Sequence, residues 1–287
     1  MNIGIVGCGI IGSRMGQNWV KAGHSVIGWN RTPAHASHLG FPMANSPAEL
    51  AIKSDVIMII VSDPQALKSV IEGRSGLASA PLHGKVVMNA STVGAADNQR
   101  AAGAIVKAGG EFLETPFTGS KGGAEAAKLV FYIGGDVTLL DRMKPLLLQI
   151  GTTCFHFGAV GSAADAKLIM NMMLANLLEA MAEGLVFAQH TKLDIPTFLA
   201  AYKQNAGYSV LADMKLGKML DADYTTHFSL KHMDKDIRLA QERARELHVA
   251  IPLTDRLKEI FSEGMQNGWG EEDFSVLYRL IKQKSEG

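Results

Sequence analysis

Three features of the sequence predict a doubly wound α/β domain followed by an all-α domain. In the first half of the chain, short apolar runs alternate with longer amphipathic segments, the pattern of βαβ units. Residues 162–190 contain no proline and one glycine, which predicts a single helix on the order of 40 Å long. The segments after this helix are also typical of helices. We therefore expect two domains, residues 1–160 and 161–287, joined by the long helix.

The expected strands are apolar runs that lack polar alternation. Such runs are typical of strands buried on both faces of a parallel sheet that is covered by helices. We expect strands at residues 3–6, 25–29, 55–61, 85–89, 111–114 and 129–133, and a first helix at residues 10–22. The later helices are expected to be interrupted at Pro196, Gly207, Gly217 and Pro252.

Composition excludes few classes of protein but favours a soluble one. The chain has 28 basic and 28 acidic side chains, and zero net charge gives no general reason to expect nucleic-acid or membrane binding. Two cysteines, Cys8 and Cys154, fit a reducing compartment and no disulfide framework. No signal peptide is evident, and no apolar run is long enough to span a bilayer. We expect a cytoplasmic protein.

A glycine motif, Gly7-x-Gly9-x-x-Gly12, follows the first expected strand and opens the first helix. In this context the glycines permit a tight turn, close backbone approach to a pyrophosphate and close packing of helix on strand. The anion lies on free N–H groups at the start of the helix, around Ile10 and Ile11. The sequence thus predicts a Rossmann-type dinucleotide site, with a glycine-rich turn lacking a ligand as the alternative.

The end of the second strand bears on the choice of cofactor. An acidic residue there binds the ribose 2′-hydroxyl of NAD, but this chain has Asn30-Arg31-Thr32. Arg31 favours the 2′-phosphate of NADP through a charge-assisted contact, unless it is a solvated loop residue. Ser62, after the third strand, is either a cofactor contact or an ordinary loop serine. We expect NADP, with NAD less favoured.

Lys167 and Asn171 are four residues apart near the start of the long helix and share one largely apolar face. A lysine among apolar neighbours near a cofactor is a candidate general acid, since burial lowers the pKa of lysine. A lysine whose aliphatic stem packs on apolar surface at a helix start is the alternative. No metal site is expected: His35 and His38 have no accompanying ligands, and His232 is interpreted as structural.

Taken together, the motifs resemble those of the β-hydroxyacid dehydrogenases related to 3-hydroxyisobutyrate dehydrogenase, and most of all the branch with glyoxylate/succinic semialdehyde reductases. The resemblance spans nearly the whole chain. Its elements are Gly7-x-Gly9-x-x-Gly12, Asn30-Arg31-Thr32, Ala90-Ser91-Thr92, the segment 112–121 (FLETPFTGSK), Gly134-Gly135-Asp136, the Lys167/Asn171 pair and the segment 228–236 (FSLKHMDKD).

The resemblance implies roles for residues in both domains. Lys167 would be the acid/base for the carbonyl oxygen, and Asn171 would hydrogen-bond the substrate near that oxygen. The other implied contacts are Thr118, Gly119 and Ser120 with the substrate carboxylate, Phe228 as a pocket wall, Asp236 with the substrate, and Thr92 and Lys235 with the cofactor. The site would lie in a cleft between the domains, and the second domain would mediate a homodimer or homotetramer.

Two departures from the family pattern stand out. The usual Ser-Gly-Gly turn after proline and valine is here Phe117-Thr118-Gly119-Ser120, so that Phe117 narrows the pocket and Thr118 keeps the hydroxyl. A lysine often found four residues after the phosphate-binding arginine is His35 here, which leaves phosphate binding to Arg31.

The expected activity is reversible NADPH-dependent reduction of a small aldehyde acid, of the succinic semialdehyde or glyoxylate type, to the hydroxy acid. Three alternatives stay open. The first is a 3-hydroxyisobutyrate or tartronate semialdehyde enzyme. Sequence alone does not separate it from the expected reductase, because one methylene in the pocket changes the discrimination between two substrates by only ~1–3 kcal/mol. An imine reductase usually carries another residue in place of Lys167. A non-catalytic NADP-binding module is the remaining alternative.

Overall fold

The computed structural model describes residues 1–32 and 39–286. These residues form eight β-strands and twelve α-helices. The chain divides into two compact units, the first comprising Met1–Leu168 and the second beginning at Ile169. The first unit thus extends into the long helix, beyond residue 160.

The first unit contains one mixed sheet. Strands β2, β1, β3, β4 and β5 lie side by side in that order and are parallel. Strands β5 and β6 then pair antiparallel with β7, which pairs parallel with β8. The strands are β1 (Asn2–Val6), β2 (Ser25–Trp29), β3 (Val56–Ile59), β4 (Val86–Asn89), β5 (Glu111–Glu114), β6 (Phe117–Thr118), β7 (Leu129–Gly134) and β8 (Gly151–Gly158).

Alternate residues of these strands enter two separate cores. Ile5 and Met58 pack on one face of the sheet, and Val6 and Ile57 pack on the other. Both faces are therefore apolar and covered, which confirms the prediction of a doubly wound α/β domain. The helices of this unit are α1 (Ile10–Lys21), α2 (Pro47–Ile52), α3 (Pro64–Glu72), α4 (Ala95–Lys107), α5 (Ser120–Glu125) and α6 (Val137–Leu147).

The second unit is helical, as predicted. Helix α7 (Ser162–His190) begins in the first unit and continues into the second. Apolar side chains of α7, among them Leu178 and Leu185, form a core with side chains of the later helices. Those helices are α8 (Ile195–Tyr202), α9 (Val210–Leu220), α10 (Leu230–Glu246), α11 (Pro252–Gln266) and α12 (Leu277–Glu286).

Several expectations about single elements were wrong. Strands β6 and β8 were not predicted, and Gly217 lies inside α9 instead of ending a helix. A glycine within a helix costs only about 1 kcal/mol relative to alanine, which packing of the helix can offset. The other three expected interruptions are confirmed. Gly207 lies between α8 and α9, and Pro196 and Pro252 lie in the first turns of α8 and α11, where the missing N–H is not needed.

Helix α7 corrects the expectation that no segment could span a membrane. By length and composition alone it is long and apolar enough, and 44% of its most apolar window is buried inside the protein. It also carries buried or half-buried polar side chains that bond within the second unit: Asn171 donates to Asp236 at 2.7 Å, and Asn176 donates to Thr254 at 2.9 Å. These contacts are those of a core helix.

One buried carboxyl group on α7 has no such partner. Glu179 is 6% exposed, and among the described residues neither of its carboxyl oxygens has a hydrogen-bond partner. The pKa of Glu179 is raised to about 7, mainly by burial and to a smaller extent by the nearby carboxylate of Glu183, while Lys284 opposes the shift. Since the ordinary value is 4.5, folded Glu179 keeps its proton where the unfolded chain has lost it. The free energy of unfolding must therefore fall as pH rises from about 4.5 to about 7.

We predict that Glu179→Gln stabilises the protein at pH 8 but has little effect at pH 4.5. The gain at the higher pH should approach about 3 kcal/mol, because a neutral side chain no longer has to ionise in an apolar setting. Chemical denaturation at the two pH values measures it. Glu246→Gln, at an exposed glutamate of α10 in the same unit, is the control and should show no comparable pH-dependent gain. An equal effect of Glu179→Gln at both pH values would contradict the prediction.

Candidate active site

The turn between β1 and α1 contains the three glycines of the motif. Gly7 has φ +102°, and a Cβ there would lie 1.9 Å from the carbonyl oxygen of Ile60. A Cβ on Gly12 would lie 2.1 Å from the carbonyl oxygen of Gly7. Backbone atoms thus leave no room for a side chain at Gly7 or Gly12. Because these two residues are glycines, the turn packs against the end of β3, and α1 lies close to β1.

Gly9 differs from the other two glycines because a Cβ there would meet no atom within 4 Å. It is the N-cap residue of α1, and among the described residues no side chain bonds at this cap. Ile10 and Ile11 are the first two residues of the helix, and the first turn carries no acidic side chain. Open space in front of uncapped N–H groups fits a pyrophosphate.

The turn lies where the strand order reverses. Strand β2 lies on one side of β1 and β3 on the other, and ligands of open α/β sheets bind at such a point, beyond the carboxyl ends of the strands. Arg31 and Thr32 follow β2 and are exposed, and Asn30 donates from Nδ2 to the carbonyl oxygen of Thr32 at 2.9 Å. His35 and His38, named in the sequence analysis, lie outside the described residues.

Two further predicted residues follow the neighbouring strands. Ser62, after β3, is exposed and donates from Oγ to the carboxylate of Asp63 at 2.6 Å. Thr92, after β4, is half-buried. Ser91, which was not assigned a role, accepts from the backbone N–H of Val61 at 2.9 Å and joins the ends of the two strands. The predicted cofactor residues of the first unit thus follow the ends of four adjacent parallel strands.

The expected substrate turn begins in β6. Thr118 is exposed, and its hydroxyl is bonded to Tyr132 of β7. Gly119 has φ +131° and Ser120 has φ +47°, so the chain bends sharply before α5. Phe117 packs edge-on against Phe131 with ring centroids 6.2 Å apart. Phe117 therefore belongs mainly to the packing under the turn, while Thr118 lies on its exposed side.

Lys167 lies in the second turn of α7 and is half-buried. The start of this helix is bonded to Glu114, whose Oε2 accepts from the N–H of Gly161 at 2.7 Å and of Ala163 at 3.3 Å. Burial raises the pKa of Glu114 to about 7, and these hydrogen bonds oppose the shift. Glu114 was part of the quoted motif but was assigned no role. A charged residue in an apolar strand was the signal that could have drawn attention to it.

In the second unit, the structure brings Asn171, Lys235 and Asp236 together. Asp236 is 2% exposed, its Oδ2 accepts from Nδ2 of Asn171 at 2.7 Å, and its Oδ1 is 2.8 Å from Nζ of Lys235. A buried carboxylate with a cation and an amide on its two oxygens fixes both partners. Three predicted site residues thus form one polar cluster.

Phe228 lies beside a second polar group in the same unit. Its ring stacks on His232 with centroids 6.3 Å apart and meets Phe274 edge-on. His232 bonds through Nδ1 to Ser229 Oγ at 2.7 Å, and burial, then Lys235 and Lys231, lower its pKa. These contacts are compatible with a structural role for the histidine.

A fully buried ion pair supports the segment that carries Phe228. Nζ of Lys215 lies 2.6 Å from Oδ1 of Asp273, and the exposures of the two side chains are 2% and 0%. Oδ2 of Asp273 accepts from the backbone N–H groups of His227 at 3.0 Å and Phe228 at 3.1 Å. Burial acts to raise the pKa of Asp273, but the Lys215 ammonium and these bonds outweigh it and hold that pKa low. Sequence reasoning missed this pair, since its members are far apart in the chain.

Two other kinds of site find no support in the described part of the chain. No group of three or more histidine, cysteine, aspartate or glutamate side chains there could hold a metal ion. Cys8, in the glycine turn, is buried, and burial raises the pKa of its thiol to about 12. A thiol with so high a pKa is a poor nucleophile at neutral pH, so Cys8 fills space in the turn.

Comparison with known families covers nearly the whole chain in two parts. Residues 2–158 match the family described as the NAD binding domain of 6-phosphogluconate dehydrogenase. Residues 161–281 match the family described as NAD-binding of NADP-dependent 3-hydroxyisobutyrate dehydrogenase. The two matches therefore support NAD(P) binding by this chain.

Known proteins with similar sequences and structures agree. Glyoxylate/succinic semialdehyde reductase 1 of Arabidopsis thaliana is 34% identical, over 98% of this chain and 99% of the relative. The chloroplastic reductase 2 of the same plant is 33% identical, over 98% of this chain and 80% of the relative. The solved 3-hydroxyisobutyrate dehydrogenase of Mycobacterium tuberculosis with L-serine is 25% identical, with a TM-score of 0.88 over 98% of this chain and 99% of its own. The chain belongs to the β-hydroxyacid dehydrogenase family and is an NAD(P)-dependent oxidoreductase that acts on CH–OH groups.

Proposed function

We propose that this protein is an NADPH-dependent reductase of a small aldehyde acid of the succinic semialdehyde or glyoxylate type. The observation that carries the proposal is the pair formed by half-buried Lys167 and buried Asn171, one turn apart on α7. The similarity to the two plant reductases supports this substrate class, while 3-hydroxyisobutyrate and tartronate semialdehyde stay as alternatives.

The first unit supplies cofactor contacts and the acid. A nicotinamide dinucleotide, when bound, would supply the hydride. The turn Gly7–Gly12 would hold its pyrophosphate, and Arg31 and Thr92 would contact its riboses. Lys167 donates a proton from Nζ to the carbonyl oxygen as negative charge develops there, and accepts it in the reverse reaction. The hydroxyl of Thr118 and the N–H groups of Gly119 and Ser120 bind the substrate carboxylate, which sets the orientation of the carbonyl group.

The second unit orients the substrate. Because one N–H of Asn171 is donated to Asp236, the amide plane of Asn171 is fixed. Its remaining polar groups can bond the substrate near the reacting oxygen. Lys235 is paired with the same carboxylate and contacts the cofactor, while Phe228 forms an apolar wall that limits the length of the substrate chain.

We predict that NADPH is oxidised rapidly with one aldehyde acid of a panel and slowly or not at all with a cyclic imine. The panel is succinic semialdehyde, glyoxylate, tartronate semialdehyde and methylmalonate semialdehyde, followed by loss of NADPH absorbance. Lys167→Ala should lower kcat by about 10²–10⁴-fold, the usual contribution of a general acid, and leave NADPH binding intact.

Lys107→Ala is the matched control, because Lys107 is an exposed lysine on α4 with no proposed role. It should behave as wild type. Turnover of the imine alone would make the protein an imine reductase. NADPH binding without turnover of any substrate would favour the non-catalytic alternative, and a near-normal kcat for Lys167→Ala would exclude its role as the acid.

We propose NADP as the preferred cofactor, because an exposed arginine and no carboxylate follow β2. Arg31→Ala should raise the KM for NADPH at least about tenfold, as expected for loss of a charge-assisted contact of 1.5–3 kcal/mol, and should leave the KM for NADH nearly unchanged. Steady-state kinetics with both cofactors measure this. Arg74→Ala, which removes another arginine of the same unit, is the control; equal effects of Arg31→Ala on both cofactors would refute the assignment.

We also propose a soluble cytoplasmic homo-oligomer, a dimer or tetramer, formed through the second unit. Exposed and half-buried small or apolar residues on α7 repeat at heptad spacing: Met173, Leu177, Ala180, Gly184 and Phe187. Met173 is 62% exposed and Phe187 is 72% exposed. Phe198 and Tyr202 of the apolar helix α8 line one cavity together with residues of this stripe. No residue of α8 is buried. A heptad stripe can pair with itself about a two-fold axis, so a second copy of this chain is the proposed partner.

Phe187→Glu should therefore convert the oligomer to a smaller species, because it places a charge in an apolar contact. Sedimentation velocity at micromolar concentration measures the mass. Val106→Glu, at a residue of α4 that is 62% exposed in the first unit, is the control and should leave the mass unchanged. A wild-type protein that sediments as a monomer would contradict this proposal alone and leave the enzymatic one unaffected.

A further inference from the structure

The start of α7 is held by a side chain distant in sequence. Five other helices, α2, α3, α6, α8 and α9, are capped by the residue that directly precedes them, whose side chain accepts from a backbone N–H of the first turn. These residues are Ser46, Asp63, Asp136, Asp194 and Ser209. At α7, in contrast, Oε2 of Glu114 accepts from Gly161 and Ala163 across a sequence separation of 47 and 49 residues. Glu114 is 0% exposed, so solvent does not compete for these bonds.

The opposite strand leaves room for this carboxyl group. Gly134 of β7 pairs with Glu114, and a Cβ on Gly134 would lie 2.0 Å from Oε2. Any larger residue at position 134 would displace the carboxyl group from the helix. Asn89, the partner of Glu114 in β4, carries no charge. The acidic group that raises the pKa of Glu114 by its charge is Asp165 on α7. The strand pairing thus directs Glu114 to the helix.

Glu114 also lies between the two halves of the catalytic machinery in the first unit. Its strand, β5, ends at Glu114, and the chain runs through Thr115 and Pro116 to Thr118 in β6, where the proposed substrate turn begins. The helix that it bonds carries Lys167 in the next turn. The distance between the carboxylate anchor and the acid therefore depends on the two hydrogen bonds at Gly161 and Ala163.

We propose that Glu114 is a positioning residue that sets the location of Lys167 relative to the substrate turn. This inference rests on the proposed role of Lys167. Glu114 does not touch the substrate, because its carboxyl group is buried behind the helix start. Loss of the cap lets the first turn of α7 loosen, and a shift of about 1 Å in a reacting group can cost about 10²-fold in rate.

Kinetics of Glu114→Ala and Glu114→Gln test the proposal. Glu114→Ala should lower kcat about tenfold to a hundredfold, with the KM for NADPH within about twofold. Glu114→Gln, which keeps an acceptor oxygen, should recover much of that loss. With cofactor deuterated at the transferred position, the isotope effect on kcat should grow in Glu114→Ala, because proton donation and hydride transfer become slower. Unfolding of part of the sample would lower activity without changing the isotope effect.

Asp136→Ala is the matched control. Asp136 caps α6, which carries no proposed site residue, by accepting from the N–H of Leu139 at 2.9 Å. The variant should reduce thermal stability but not kcat. A wild-type kcat in Glu114→Ala, or a loss of kcat with an unchanged isotope effect, would overturn the proposal.

Hydrogen–deuterium exchange separates this proposal from that for the enzyme's activity. Faster exchange in Glu114→Ala or Glu114→Gln, confined to the first turns of α7, would support the cap whether or not a substrate is found. Unchanged exchange there in both variants would overturn the proposal even if the enzyme reduces aldehyde acids. Glu114→Gln keeps the measurement possible if Glu114→Ala does not fold.

Discussion

The first unit depends on the glycine turn between β1 and α1, where backbone atoms lie in the positions that side chains would otherwise occupy. The carbonyl oxygen of Ile60 fills the place of a Cβ on Gly7, and that of Gly7 fills the place of a Cβ on Gly12. Because of these two contacts, the end of β3 and the start of α1 both lie against the end of β1. The same edge of the sheet also carries Arg31 and Thr92. Close backbone packing at the turn thus determines where a dinucleotide can bind.

Helix α7 shows how polar contacts decide the environment of an apolar segment. Its composition alone is compatible with a membrane span, yet Asn171 and Asn176 bond to other helices of the second unit. Glu114 fixes the start of the helix from a strand. Only Glu179, among the buried polar residues named on this helix, lacks a hydrogen bond, and its raised pKa lets it stay neutral at little cost below pH 7.

The sequence predicted those parts of the fold and site that have local signals. Continuous apolar runs identified six strands, and the glycine spacing identified the dinucleotide turn. Strand β8 was missed because most of its side chains are exposed or half-buried, which leaves no apolar pattern. The contact of Asn171 with Asp236 and the cap by Glu114 join residues that are 65 and 47 positions apart. Such contacts depend on the tertiary fold and leave no trace in local spacing.

The buried pair of Lys215 and Asp273 has a consequence for how this chain can diverge. Removal of either partner leaves an uncompensated buried charge at a cost of about 3–5 kcal/mol, a large part of the stability of an ordinary domain. Replacement of both by apolar residues removes the charge but also the acceptor for the N–H groups of His227 and Phe228. A substitution at position 215 therefore requires a residue at position 273 that is neutral but still accepts hydrogen bonds from these N–H groups. Sequence divergence at these two positions is thus confined to a few joint substitutions.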